Sequence, residues 1–280
     1  MSAAPGAFRI EALRDLPVLP QVVMDLHRLI SSDGSSLEDI ASSLSRDQAL
    51  SAKALRLANC SFFGVPGRVV TIQAAIAYLG LRSVSTLLTA AAVSNCFPRA
   101  TSRHFDIRQY WRHSLGAAIG ARELARHAGM DRDVGFTAGL LHDLGRLALA
   151  CAAPARFDEV FERRLADDSL MVEAEHQILG TDHAEIGACV AARWHFAEPV
   201  VNAIRLHHAP AASPGPDVNA IVHVADCMVH ALDLAGDANE IVPPMEAAAW
   251  TSLGLEPARS QEMFARVEGE LDELCAALGV

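Results

Sequence analysis

Apolar side chains recur at helical spacing along almost the whole chain. Met263, Val267, Leu271 and Leu274 fall three or four residues apart, which puts them on one face and predicts an amphipathic helix over 260–278. Stretches that alternate apolar and polar residues, the mark of a half-buried strand, are scarce. Capping residues divide the pattern into short helices. Ser35 with Glu38, and Ser45 with Gln48, are capping boxes opening two helices, one through Leu44 and one to about Asn59. Almost no linker separates them, so they predict a tight helical hairpin. Gly64, Pro66 and Gly67 mark a loop, Thr71 caps a short helix closed by Gly80, and 81–95 continues as an apolar helix that Pro98 stops.

The second half opens with a long helix over 106–128, ended by Gly129. Asp131 or Asp133 caps the next, which ends near His142. Further helices are predicted at 154–167, 170–179, 182–195, 199–207 and 219–235, with a Pro-, Ala- and Ser-rich loop at 209–216. The loop at 98–104 is the one shift in composition. It divides an N-terminal helical subdomain, 1–100, from a His-rich helical bundle, 101–280.

Composition supports an all-α fold. Hydrophobic residues make up 51% of the 280, mostly Ala and Leu, while aromatics contribute 5%. Ala and Leu lose little side-chain freedom in a helix. The net charge of −11 repels a phosphate backbone and argues against general nucleic-acid binding. Arg163 and Arg164 are the nearest thing to a basic patch and read as a solvated helix face. Six scattered cysteines without a CxxC pair read as free thiols in a reducing compartment. With no secretory signal visible near Met1 and no apolar stretch long enough to span a membrane, the expectation is a soluble, cytoplasmic protein.

The histidines change the picture. Eleven of the twelve lie between His104 and His230. Five of them and two aspartates form an ordered series: His113, His142–Asp143, His183, His207–His208, Asp226. Neutral imidazoles and carboxylates suit a divalent transition metal, and successive helices of a bundle can project them to one centre. Neighbours such as His142 and Asp143 point about 100° apart on a regular helix, so both reach one centre only near a helix end. Gly145 and Pro210 suit such ends. The plainer alternatives are a helix-terminal His142 beside a capping Asp143, a half-buried helical His113, and an Asp226 that simply pairs with a nearby histidine. His127, His176, His195, His223 and His230 have no place in the series and read as surface or structural residues. Asp47 and Asn59 read as capping residues, Phe62 and Phe63 as core anchors.

In order, the series resembles the metal-binding pattern of the HD superfamily of phosphohydrolases, in the expanded form of its two-metal members. The surrounding text is similar to the HDOD branch: Leu16-Pro17-Val18-Leu19-Pro20, the run from Asp47 to Asn59 followed by Phe63-Gly64, Ala75-Ile76-Ala77-Tyr78-Leu79-Gly80, Trp111-Arg112-His113-Ser114, Ala138 to Arg146, and Asp182 to Gly187. The resemblance implies an HD-domain, phosphodiesterase-like helical bundle with an N-terminal helical subdomain. It also implies one or two divalent ions (Fe, Mn, Mg, Zn or Ni) on His113, His142, Asp143, His183, His207, His208 and Asp226. Two departures matter. The Gly-Tyr-Pro of the related cyclic-di-GMP phosphodiesterases is replaced after His208 by Ala209-Pro210-Ala211-Ala212, and Arg146 stands where that branch typically carries Lys. The expectation is therefore a bacterial regulatory module that signals through protein–protein contacts without robust catalysis. Its implied partners are response regulators, cyclic-di-GMP enzymes or motility components. The alternative is a metal-dependent phosphohydrolase acting on a nucleotide or cyclic dinucleotide, with Asp143 and Arg146 as catalytic candidates. A third reading is a site that binds a metal or ligand without reacting and alters a partner surface.

Overall fold

The computed structural model describes residues 19–30, 47–64, 68–97 and 100–280. These residues form helices and, among them, no strand. The capping box at Ser35 and Glu38, Ser45, the Leu16-Pro17-Val18 stretch, Pro66, Gly67 and Pro98 lie outside them.

The first group of helices is α1 (Gln21–Ile30), α2 (Gln48–Ala58), α3 (Ile72–Leu79) and α4 (Leu81–Cys96), with a 3-10 turn at Ser61–Phe63. The N-cap of α2 is Asp47, whose carboxylate accepts from Leu50 N, so the box read at Ser45 with Gln48 does not start this helix. Thr71 caps α3 through its hydroxyl, and Gly80 closes that helix with φ 84°. Asn59 follows α2 and fastens the next loop. Its Nδ2 donates to Leu55 O at 2.7 Å and Val69 O at 2.8 Å, and its Oδ1 accepts from Val69 N at 2.8 Å. Asn59→Ala strands the Val69 backbone groups and is expected to cost about 1–3 kcal/mol, read as a lower urea midpoint at unchanged slope.

The second group is α5 (Ile107–His127), α6 (Arg132–Leu141), α7 (Leu144–Ala152), α8 (Pro154–Asp167), α9 (Met171–Leu179), α10 (His183–Arg193), α11 (Glu198–Leu206), α12 (Val218–Ala231), α13 (Ala247–Ser252) and α14 (Pro257–Leu278). Asp106 and Asp131 are the N-caps of α5 and α6. Met263, Val267, Leu271 and Leu274 are all buried, as the pattern required. α14 starts three residues earlier than the pattern indicated, with Pro257 in its first turn, where a missing N–H does no harm. α12 stops at Ala231 rather than 235, because Asp233 turns left-handed at φ 46°.

α5 is buried from Tyr110 to Ala125 except at Arg112, and packs against α6, α12 and α14. One continuous apolar core runs from Leu19 to Leu278. Phe62 and Phe63 anchor the first group on the second: they meet edge to face, and the buried Arg122 of α5 lies 4.7 and 4.8 Å from their ring centres. α7 meets α10 at Gly145 and Gly187, which lie backbone to backbone.

A candidate metal centre

Every position in the histidine and aspartate series sits where a helix turns its side chain inward. His113 lies mid-way along the buried face of α5. His142 is the C-cap of α6, and Asp143 begins α7 without capping it. His183 is the first residue of α10, His207 the C-cap of α11 with His208 next to it, and Asp226 lies in the buried stretch of α12. The adjacent pairs thus fall at helix ends, as the 100° argument demanded.

The structure brings all seven together. Nε2 of His113 and Nε2 of His142 stand 3.0 Å apart, at 3.1 and 3.3 Å from Asp226 Oδ1. Nε2 of His208 stands 2.8 Å from Nε2 of His183. Asp143 lies between these two clusters. Its Oδ1 is 3.2 Å from His183 Nε2 and 3.9 Å from His207 Nε2, while its Oδ2 is 3.7 and 3.8 Å from the ring nitrogens of His113 and His142.

His230 joins the first cluster, with Nε2 3.2 Å from Asp226 Oδ1, although the sequence reading left it outside the series. The signal was its spacing: four residues after Asp226 on one helix puts both on the same face. His127, His176 and His195 lie elsewhere. His223 is structural, donating from Nδ1 to His207 O at 2.7 Å and accepting from Glu246 N at 2.9 Å.

The outward nitrogens explain the inward ones. Nδ1 of His142 donates to Gly139 O and Nδ1 of His207 to Ile204 O, each at 2.7 Å. Nδ1 of His183 donates to Glu175 Oε2 and Nδ1 of His230 to Glu240 Oε1, each at 2.6 Å. Tied at Nδ1, four imidazoles face the centre with Nε2, and such partners fix both orientation and basicity. Nitrogen is thus set against nitrogen at hydrogen-bond distance, which needs a proton or a cation between. His207 Nε2 and Asp226 Oδ1 are buried and make no hydrogen bond of good geometry.

The electrostatics keep the two carboxylates ionised and His207 and His208 neutral, the forms that ligate, whereas His183 and His230 hold a proton that a bound cation would displace. Burial disfavours charge on Asp143 and Asp226. Yet Arg146 and His142 hold Asp143, and His230 and His113 hold Asp226, well below the usual carboxylate range. Burial, with the like charge of His183, pushes His208 down to about 3. Burial and the neighbouring His208 and His142 push His207 well below its ordinary value. Against the same burial, Glu175 and Asp143 hold His183 up at about 10, and Asp226 and Glu240 hold His230 up at about 10.

The donors fit divalent ions. Two imidazole nitrogens each about 2.1 Å from one ion, at a right angle, lie about 3.0 Å apart, close to the separations found here. Ligand atoms of His113, Asp226 and His230, and of His183, His207 and His208, form groups within 4.8 Å. A cavity of about 630 Å³ reaches the centre, touching His113, Asp143, His183, His208, Asp226 and His230. Arg164 lines it and is 7% exposed, so it is not the solvated residue its place beside Arg163 indicated. The reason is tertiary: α8 turns Arg164 towards Asn239, whose carbonyl accepts from its Nη2.

An all-helical bundle that gathers imidazoles and carboxylates from five helices defines the HD-type class. The chain belongs to the HDOD domain family, whose profile matches residues 16–210. The match stops before Asp226, which the sequence series already included, and before His230, which enters on the geometry alone. Among relatives, an uncharacterised protein of Treponema pallidum (strain Nichols) is 32% identical over 209 residues, 74% of this chain. The chain spans 39% of that relative's length. A candidate phosphohydrolase of Shewanella amazonensis SB2B has the same fold, with a TM-score of 0.76, 28% identity and coverage of 96% of this chain and 97% of the other. An HDOD domain protein of unknown function from Geobacter sulfurreducens matches with a TM-score of 0.77, 25% identity and the same coverage. No helix among the described residues is long and apolar enough to cross a membrane.

Proposed function

We propose that this HDOD protein is a signal-transduction module built on a centre for two divalent cations. One cation is held by His113, His142, Asp226 and His230, the other by His183, His207 and His208, with Asp143 shared. The supporting observation is the convergence of ring nitrogens: Nε2 of His113 and His142, and of His183 and His208, stand 3.0 and 2.8 Å apart, and Nε2 of His113, His142 and His230 lie 3.1–3.3 Å from Asp226 Oδ1. A nitrogen-rich set favours Fe, Mn, Ni or Zn over Mg, which prefers oxygen and retains its water. Elemental analysis of protein purified without chelator is expected to find one to two equivalents of a transition metal, strongly reduced in Asp143→Ala and His142→Ala. Substoichiometric metal, indifferent to Asp143, would defeat the reading. Glu175 acts here as a positioning residue. Its Oε2 accepts from both the backbone N and Nδ1 of His183, so Glu175→Gln is expected to weaken metal affinity about 10–100-fold in chelator competition.

In this reading the signal passes to partner proteins, with response regulators, cyclic-di-GMP enzymes or motility components as the partners to test. Partner affinity measured with and without metal separates a sensing centre from a passive scaffold.

The cavity favours a second reading, a metal-dependent phosphohydrolase acting on a nucleotide or cyclic dinucleotide. Divalent cations at such a centre lower the pKa of water and draw charge from phosphoryl oxygens. Asp143 faces both clusters and the cavity. Arg146 donates to Asp143 Oδ2 at 2.8 Å, which orients that carboxylate. Rapid phosphodiester turnover with Mn or Fe, abolished in His142→Ala, would establish this reading over the first.

A further inference from the structure

An open groove of about 590 Å³ lies where α2 and α14 meet the segment 68–70. None of the residues lining it lines the cavity at the histidine and aspartate centre. Ala52 and Leu55 of α2, Ala276 of α14 and Val70 give it an apolar surface, and Val70 is 70% exposed. A lone exposed apolar side chain is ordinary, but this one stands in a concave site beside uncompensated charge. Arg56 and Arg68 line the same groove. Elsewhere arginines pair with carboxylates, as Arg82 does with Asp131, Arg112 with Asp272 and Arg205 with Glu185. Arg56 instead gives its Nε to the carbonyl of Ala277 at 3.3 Å, and Arg68 has no side-chain partner among the described residues. Lys53 lies one turn before Arg56 on the same face of α2. Its ammonium is held by neutral acceptors, Ser94 Oγ at 2.7 Å and Asn95 Oδ1 at 2.9 Å. Among the described residues, Glu273 is the one carboxylate lining the groove. Both its oxygens are taken by Ser61, one through the backbone N at 2.9 Å and one through the hydroxyl.

The segment itself alternates as an extended chain does, with Arg68 and Val70 outward and Val69 buried. Asn59 holds both backbone groups of Val69, while those of Arg68 and Val70 make no hydrogen bond among the described residues. Unpaired main-chain groups of this kind suit a second extended chain, whose own side chains alternate in the same way. We propose that this groove receives an extended acidic segment of a partner protein, with its carboxylates on Arg56 and Arg68 and its alternate apolar side chains on Val70, Leu55 and Ala276. Charge complementarity selects that occupant. The whole chain carries −11, so its far field repels an acidic ligand, and only local cations can favour one. The groove gives the partner-contact reading a surface, and it stands whether or not the centre holds metal.

Fluorescence anisotropy on the full chain tests it, with the labelled hexapeptide Asp-Val-Asp-Val-Asp-Val as probe. Wild type is expected to bind this peptide about tenfold more tightly than the versions with Lys for Asp or with Ser for Val. Overall charge alone would favour the Lys version. Arg68→Glu should weaken binding about tenfold, and Val70→Ser several-fold. Arg193→Glu, which changes the net charge equally on an exposed part of α10, should leave affinity as it was. Equal affinity in Arg68→Glu and wild type, or a preference for the Lys peptide, would overturn the inference. If circular dichroism shows that Arg68→Glu does not fold, salt carries the test on wild type. Raising NaCl from about 0.05 to about 0.5 M should then weaken binding several-fold, and unchanged affinity overturns the inference equally. Light scattering separates the occupants. A dimer lost in Arg68→Glu would assign the groove to a second copy, and displacement of the peptide by oligo-dT would assign it to nucleic acid; either result overturns the partner segment. Folded, metal-loaded protein that ignores the peptide overturns the groove and leaves the metal centre standing.

Discussion

Gly145→Ala is expected to destabilise this protein by about 3 kcal/mol or more, a fall in melting temperature of about 6–12 °C. A Cβ at position 145 would stand 1.9 Å from the carbonyl oxygen of His183, 2.7 Å from its carbonyl carbon and 2.8 Å from Gly187 N. All three are backbone atoms, so no rotamer change relieves the contact, and α7 and α10 must separate. Native stability is typically 5–15 kcal/mol, so this one methyl group removes a large share of it. The displacement also moves His183 away from Asp143, so residual folded protein should lose metal. Gly269, in the middle of α14 with nothing within 4 Å of its Cβ position, is the control. There the same substitution relieves the entropy cost of glycine and should stabilise by about 0.5–1 kcal/mol. Urea denaturation of both variants reads the contrast directly. A Gly145→Ala variant as stable as wild type would mean that α7 and α10 do not pack this closely.

The second large effect concerns the ions. A ligand that binds only the native state stabilises it by about 2.7 kcal/mol at one hundred times its dissociation constant. Saturating Mn²⁺ or Zn²⁺ is therefore expected to raise the melting temperature of chelator-stripped protein by about 5–10 °C. Asp226→Asn should abolish most of that increment, because His113, His142 and His230 all bring Nε2 within 3.1–3.3 Å of Asp226 Oδ1. A variant that keeps the full increment would take Asp226 out of the donor set.

Much of this was legible in the residues, for reasons that also explain what was not. Thr71 announced its helix, and Asp131 was one of two candidate caps for α6, because capping is local chemistry between a side chain and a backbone N–H a few residues on. The metal-type series was legible because its adjacent pairs need helix ends, and Gly145 and Pro210 supplied them. α7 was missed because Asp143, at its start, turns its carboxylate to the imidazoles and caps nothing, and because its residues are apolar on nearly every side. Glu175 and Glu240 were invisible for another reason. Each meets its histidine eight or ten residues away across a turn, and no periodicity encodes that contact. Arg164 misled because an arginine on an amphipathic helix is normally solvated. Only packing against the 237–240 segment makes it part of a wall.

Asp143 has one carboxylate facing two groups of imidazoles, with Oδ1 towards His183 and Oδ2 towards His113 and His142. Any two cations held at this centre share that ligand, so the first to arrive alters the charge and alignment the second encounters. Their affinities are thermodynamically linked, and whatever factor the first imposes on the second is returned in equal measure. A titration should therefore resolve two macroscopic constants belonging to the pair, and the half-filled protein is a chemical state of its own.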